Sequence, residues 1–383
     1  MRENIGAEAL RRVVDPAEVD ALLSAGRTLP AVFYTHSEIA RLEDQLIFRR
    51  AWQLAGTVVE LARPGDYVTL RISTVPIVVV RDKAGILRAF VNVCTHRAQT
   101  VIEGDGNCSN LQCGYHGWTF GLDGKLSGVP GWRTAELPPF EELGLKPVFL
   151  EVWAGLVFVA IEPEQSLMEQ LGELPAVMRS TGYDFPFETV NGMSFLGQYD
   201  YHIKANWKIY HENSSECYHC PTSHPGTFGE LFDFSRVHLD ALSFNNGGGS
   251  FGPFPLRTEM RDRFPAEKAG SQYGYAQYFL WPNTLIVTGF VGEALFRMEP
   301  RGSGSMRQVG RGYARPEQVD AELSNLIDVT FAQTTSEDIA IVERVQEGLE
   351  SGMYSSGPTS ADRETLLRDF QGRVWASLRP GFE

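Results

Sequence analysis

The chain is 383 residues long, 43% hydrophobic and 21% charged, with a net charge of −14; this is an ordinary globular balance with room for two or three domains. The acidic charge argues against a nucleic-acid partner, which would need a concentrated basic face. No segment reads as a signal peptide or membrane span, since Arg11, Arg12, Asp15, Pro16, Glu18 and Asp20 interrupt the first thirty residues, so a cytoplasmic protein is expected.

After an N-terminal arm, strands and turns fill Gln53 to Ile161. Asp66–Ile72 alternates apolar and polar residues, Pro76–Val80 is a β-branched run, and Leu87–Val93 is a third strand. Asp123-Gly124 marks a hairpin, and Val148–Ile161 gives two more strands broken at Ala154-Gly155. A small all-β domain is therefore predicted over about 41–165. It contains Cys94-Thr95-His96, a spacer of sixteen residues, then Cys113-Gly114-Tyr115-His116. One cysteine and one histidine in each of two tight turns is the donor set of a Rieske [2Fe–2S] cluster, in which two thiolates hold one iron and two imidazoles the other. Structural zinc accepts the same donors, but its usual pattern pairs cysteine with cysteine and histidine with histidine.

Helical signals begin after Pro163. One helix is predicted from Ala205 to Cys220, with Ile209, Glu212, Asn213, Glu216, His219 and Cys220 on one side. From about His224 to Ser271 the chain reads as an irregular stretch holding Asn245-Asn246-Gly247-Gly248-Gly249-Ser250, either a lid beside an active site or a surface insertion. Strands return near Tyr275–Trp281, Leu285–Phe290, Ala294–Met298 and Met306–Ala314, and three helices begin near Pro316, Ser336 and Ser360. Cys108, Cys217 and Cys220 are expected to be free thiols in a reducing compartment.

His219, in the last predicted helical turn, and His224, just past Pro221, can converge on one ion. Two histidines and a carboxylate with open remaining positions suit an Fe(II) that binds dioxygen. The carboxylate is assigned to Asp338, which shares a helical stripe with Val342, Val345 and Leu349, whereas Glu337 points about 100° away. An inward carboxylate is costly unless paired or metal-bound.

The runs Cys94-Thr95-His96-Arg97, Cys113-Gly114-Tyr115-His116-Gly117-Trp118, Glu216-Cys217-Tyr218-His219 and Glu337-Asp338 resemble the α (oxygenase) subunits of Rieske non-haem iron oxygenases. One departure is Ala98, where the family commonly has glycine. The resemblance implies an α+β protein: an arm (1–40) packed on the catalytic domain, an all-β Rieske domain (41–165), and a helix-grip catalytic domain with an antiparallel sheet (166–383). It implies a [2Fe–2S] cluster on Cys94, His96, Cys113 and His116, and mononuclear Fe(II) on His219, His224 and Asp338. Glu216 then bridges this iron site to a Rieske histidine, His116, of a neighbouring subunit, which requires a ring, expected to be a homotrimer. Glutamate at the bridge resembles members that act on quaternary ammonium compounds such as carnitine.

The implied function is oxidation of a small organic substrate, a quaternary ammonium compound, an amine or an aromatic acid, by O2. Electrons come from an NAD(P)H-dependent reductase, directly or through a ferredoxin, because the chain has no dinucleotide-binding glycine motif of its own. Tyr278, Trp281 and Phe290 are candidate pocket walls. The alternatives are a cis-dihydroxylating ring dioxygenase and a non-enzymatic Rieske electron carrier; the two hundred residues beyond the β domain weigh against the carrier.

Overall fold

The computed structural model describes residues 10, 12–132, 137–189, 191–244, 246–253, 255, 257, 275–289, 292–316, 319 and 332–382. The chain divides into two compact units, Arg49–Leu167 with Phe185–Phe195, and Met1–Phe48 with Met168–Asp184 and Leu196–Glu383.

The first unit is built from β1 (Gln53–Thr57), β2 (Asp66–Ile72), β3 (Val75–Arg81), β4 (Leu87–Val91), β5 (Gly106–Asn107), β6 (Leu111–Gln112), β7 (Thr119–Phe120), β8 (Leu126–Gly128), β9 (Phe149–Trp153) and β10 (Leu156–Ala160). They form sheets of order β1-β10-β9, β4-β3-β2-β5 and β6-β7-β8. Period-two alternation works as read in β2, where Val68, Leu70 and Ile72 are buried and Tyr67, Thr69 and Arg71 are not. Val78, Val80, Phe90, Leu111, Trp118 and Phe120 make a core that also takes in Cys94 and Cys113. Each large apolar side chain fully buried there contributes about 1.5–3 kcal/mol, so the floor under the two turns is firm. The distant segment Phe185–Phe195 joins this unit because the β9–β10 turn lies directly on its backbone. A Cβ at Gly155 would stand 1.7 Å from the Phe187 carbonyl oxygen, and Trp153 meets Phe185 edge-on at 5.6 Å.

The second unit is α+β. Its sheet takes β11 (Ser194–Ile203), β12 (Asp240–Phe244), β13 (Gly247–Phe251), β14 (Tyr275–Leu280), β15 (Thr284–Gly289), β16 (Gly292–Pro300) and β17 (Met306–Ala314) in the order β11-β17-β16-β15-β14-β13-β12. The pairs from β12 through β17 are all antiparallel. The helices that matter for the site are α1 (Trp207–Ser214), α2 (Cys220–Ser223), α3 (Phe228–Leu231), α4 (Thr334–Glu350) and α5 (Thr365–Leu378).

Part of the stretch read as irregular is therefore ordered: α3, β12 and β13 lie within it. Gly247, Gly248 and Gly249 form a buried strand rather than a loop, because neighbours occupy the space side chains would need. Added Cβ atoms would stand 2.2 Å from the Phe279 carbonyl oxygen, 2.8 Å from Leu366 and 2.9 Å from the Gln277 carbonyl oxygen. The rest of the expected lid from 258 to Ser271 lies outside the described residues, as does nearly all of the helix expected to begin near Pro316.

Helix α1 is fixed at its start and along its side. The Asn206 side chain accepts from the Lys208 N–H at 3.0 Å as an N-cap, and its amide donates to the Tyr34 and Ser303 carbonyls at 3.2 and 2.7 Å. Phe370 of α5 stacks on His211 at 3.7 Å and meets the edge of Trp207 at 5.5 Å. The fully buried Lys208 is paired with Glu43, which also accepts from the Trp207 indole at 2.9 Å. Such a pair adds little to stability while intact, but losing one member leaves a bare buried charge.

Candidate metal centres and substrate cavity

The two cysteine–histidine turns of the β unit are built alike. The Cys94 carbonyl accepts from the Ala98 N–H and the Cys113 carbonyl from the Gly117 N–H, both at 3.0 Å. The Cys94 and Cys113 N–H groups donate to the carbonyls of Gln99 and Trp118, both at 2.8 Å. Each turn needs one left-handed residue, supplied by Gly117 at φ 71° and by Ala98 at φ 59°. Alanine carries there a conformation that costs an L-residue roughly 1–2 kcal/mol, so the departure from glycine keeps the turn's shape and adds strain.

Cys94 and Cys113 are buried, 3% and 2% exposed, whereas His116 is exposed and His96 half-buried. The imidazoles of His96 and His116 lie 4.7 Å apart, and His96 is stacked on Trp118 at 4.7 Å and 7°. Two free thiols below and two imidazoles above, in mirrored turns, are the chemistry a two-iron cluster with unlike ends requires.

The second centre lies in the other unit. His219, His224 and Asp338 each offer a ligand atom within 4.8 Å of the others. Nε2 of His219 is 3.4 Å and Nε2 of His224 is 3.2 Å from Asp338 Oδ1. That oxygen is buried without a hydrogen-bond partner, an arrangement that fits a cation held between the three. Both imidazoles are turned inward by carboxylates on their far sides: His219 Nδ1 is 2.6 Å from Glu216 Oε1, and His224 Nδ1 is 2.7 Å from Glu337 Oε2. A proton held at Nδ1 leaves the Nε2 lone pair free for a metal. The Thr227 hydroxyl donates to Glu337 Oε2 at 2.7 Å and fixes that carboxylate in turn.

Electrostatics points the same way. Burial alone would lower His219, yet the Asp338 and Glu216 carboxylates outweigh it and push it up to about 9. His224 is raised against burial by Asp338 and Glu337. Burial would raise Asp338, but the two imidazoles bring it below its ordinary value. Protons are thus held where a divalent cation would bind, and metal binding displaces them.

Several local expectations are corrected. The predicted helix to Cys220 stops at Ser214, so His219 sits in a bend and not in a helical turn. Glu216 makes the bend: its Oε2 accepts from the Tyr218 N–H, and from the His219 N–H at 3.1 Å, a local competitor to helical hydrogen bonding. Cys217 and Cys220 are joined in a disulfide and are not free thiols, their Cα atoms lying 5.0 Å apart, within bridging range. On α4 the buried stripe runs through Thr334, Thr335, Val342, Gln346 and Leu349, while Val345 is 44% exposed. Glu337 is not a bystander, since it orients His224.

A cavity of about 130 Å³ opens beside the triad, well above the roughly 10–15 Å³ that one water needs. Asn213, Glu216, His219, His224 and Asp338 line it at the triad, and Phe228, Phe232, Tyr275 and Phe296 supply aromatic wall. Tyr278 and Trp281 are not among its lining residues. On β14 Tyr275 and Gln277 point inward, so Tyr278 takes the opposite face, with its hydroxyl 2.5 Å from Thr181. Phe290 lies outside the described residues.

A β unit presenting two buried cysteines and two outer histidines, and an α+β unit with an open two-histidine, one-carboxylate triad beside a cavity, define an iron-dependent oxygenase fed by an iron–sulfur cluster. The Rieske [2Fe-2S] domain family matches residues 51–141 and the ring hydroxylating alpha subunit (catalytic domain) family matches 191–379. The chain is 32% identical to the carnitine monooxygenase oxygenase subunit of Escherichia coli (strain K12) over 339 residues, 88% of each chain. It is 29% identical to the chloroplastic choline monooxygenase of Arabidopsis thaliana, over 88% of this chain and 79% of that one. A quaternary ammonium Rieske monooxygenase solved with L-carnitine superposes with a TM-score of 0.77 at 26% identity, covering 95% of this chain and 99% of that one. The chain belongs to the Rieske non-haem iron oxygenases, as an α (oxygenase) subunit carrying a [2Fe–2S] cluster and a mononuclear iron.

No helix among the described residues is long and apolar enough to cross a membrane.

Proposed function

We propose that this subunit hydroxylates or N-dealkylates a small quaternary ammonium compound or amine, with Cys94, His96, Cys113 and His116 holding the cluster and His219, His224 and Asp338 holding Fe(II). The convergence of the His219 and His224 imidazoles on the buried, unpartnered Asp338 Oδ1 carries the metal assignment. The substrate class is supported by the similarity to carnitine and choline monooxygenases and by the aromatic wall. Phe228 and Phe232 meet edge-on at 5.5 Å, and with Tyr275 and Phe296 they offer ring faces that attract a methylated ammonium by cation–π interaction. The same mainly apolar wall also suits an aromatic ring, which keeps ring hydroxylation as the second reading.

When bound, the iron supplies the means of activating O2. The chain's own groups do the rest. Glu216 and Glu337 hold the Nδ1 protons of His219 and His224 and so aim the opposite nitrogens inward, and the cavity wall places the substrate beside the triad. Glu216 is further assigned as the bridge between His219 and His116 of the partner subunit in a homotrimeric ring. Its contact with His219 and the exposure of His116 support this. An NAD(P)H-dependent reductase, directly or through a ferredoxin, supplies the electrons in the cytoplasm. The test is substrate-dependent NADH oxidation with a surrogate reductase, across choline, carnitine, other betaines and aromatic acids. Turnover confined to the ammonium compounds is expected; turnover confined to aromatic acids would favour the second reading.

A further inference from the structure

Gln308 is a buried amide facing the cavity without a partner. It sits on β17 opposite Met298, two pairs from the Phe296–Gly310 pair, so Gln308, Gly310 and Phe296 share a sheet face. Both Gln308 and Phe296 line the cavity. Gln308 is 1% exposed, and neither its Oε1 nor its Nε2 has a hydrogen-bond partner in the protein. The Tyr210 hydroxyl lies close enough for the amide to act on it as a hydrogen-bonding group and oppose the upward push of burial, but the pair falls short of full hydrogen-bond geometry.

A buried donor and acceptor left unpaired are costly until a partner arrives. The partner that fits is defined by the amide itself. Nε2 needs an acceptor and Oε1, less than an amide's width away, needs a donor. A hydroxyl is both, whereas a carboxylate only accepts, so it would pair with Nε2 and set a negative oxygen against Oε1. Exchanging the amide's N and O by a flip changes nothing, because both atoms are unpaired. Phe296 lies on the same face, its ring over Gly310, where an added Cβ would stand 2.9 Å from it. An aromatic face and a two-way hydrogen-bonding group are therefore neighbours on one wall.

We propose that Gln308 sets substrate specificity by pairing with a hydroxyl group of the substrate, so that the subunit selects a hydroxyl-bearing amine over a carboxylate-bearing betaine. The inference rests on the reading of the substrate as an ammonium compound, and the two are separable by experiment.

Binding to the iron-loaded, oxidised enzyme is measured anaerobically by titration calorimetry, with four probes. These are choline, propyltrimethylammonium (its hydroxyl replaced by methyl), glycine betaine, and 3,3-dimethylbutan-1-ol (its nitrogen replaced by carbon). Choline is expected to bind at least about tenfold more tightly than propyltrimethylammonium or betaine. In Gln308→Met, of similar volume, choline and propyltrimethylammonium should bind within about twofold of each other, with propyltrimethylammonium affinity, cluster spectrum and iron content unchanged. Gln308→Asn, which keeps the amide, should retain part of the preference. If dimethylbutanol equals choline, the ammonium reading fails and the hydroxyl preference stands. A native enzyme that does not prefer choline to the methyl and carboxylate probes, a preference that survives in Gln308→Met, or no binding of either hydroxyl probe overturns the role of Gln308.

Discussion

The cluster turns and the triad fix their donors by opposite means. In the β unit the backbone does the work: four hydrogen bonds, two from each turn, close the loops around Cys94 and Cys113, and all four donors fall within one short stretch of chain. At the triad, side chains do it. His224 is steadied by Glu337, 113 residues further along the chain, and His219 by Glu216, around an Asp338 oxygen that nothing else satisfies. A site made of local turns depends little on its neighbours, whereas a site made of balanced charges is sensitive to each carboxylate.

The largest expected effect comes from Asp338→Ala, which should reduce turnover to background and remove the mononuclear iron while the visible cluster spectrum persists. Glu337→Gln should be milder, weakening Fe(II) binding by about 10–100-fold, since it loosens His224 without removing a ligand. Fe(II) titration of both variants checks the order; a larger loss in Glu337→Gln would make Glu337 the ligand.

Glu216→Gln should leave both metals in place yet slow reoxidation of the reduced cluster by substrate and O2 by at least about tenfold, with dithionite reduction unchanged. Stopped-flow absorbance of the cluster reads this. An unchanged rate in an intact oligomer would mean that electrons take another route.

A pH series separates the two regions further. In metal-free protein His219 is raised from an ordinary 6.5 to about 9. Its contribution to stability should be full below about pH 6.5 and lost as pH rises through about 9. Fe(II) must displace that proton, so affinity at the triad should climb over the same interval with proton release. Denaturation and metal titration between pH 6 and 10 measure both; a flat affinity would show that His219 is already neutral.

The smallest effect is expected in the backbone-built region. Ala98→Gly relieves a left-handed alanine and should stabilise the β unit by about 1 kcal/mol, read as a higher denaturation midpoint without change in the cluster spectrum.

The same contrast explains what could be read from the chain. The strands of the β unit and the paired turns follow from short-range pattern, and β2 alternates as its residues dictate. The triad's residues were legible as types at suggestive spacings, but their surroundings were not. A continuous helical stripe through Glu216 and His219 hid the bend, because the carboxylate that takes the Tyr218 and His219 N–H groups looks like any helix glutamate. Gly247–Gly249 looked like loop, since the atoms that exclude side chains there belong to Phe279, Leu366 and Gln277, far along the sequence. Tyr278 was named as cavity wall where Tyr275 supplies it, because strand parity puts the two on opposite faces, and the unpaired amide of Gln308 exists only once the strand is placed. The Cys217–Cys220 disulfide was missed because compartment, rather than proximity, was used to decide it.

The most direct test of two separate iron sites in one chain is iron and acid-labile sulfide analysis of anaerobically reconstituted protein, beside the Asp338→Ala variant. We expect about three irons and two sulfides per native chain, and two of each in the variant with an identical cluster spectrum. A native protein that never exceeds two irons while showing the full cluster spectrum would contradict the triad as an iron site.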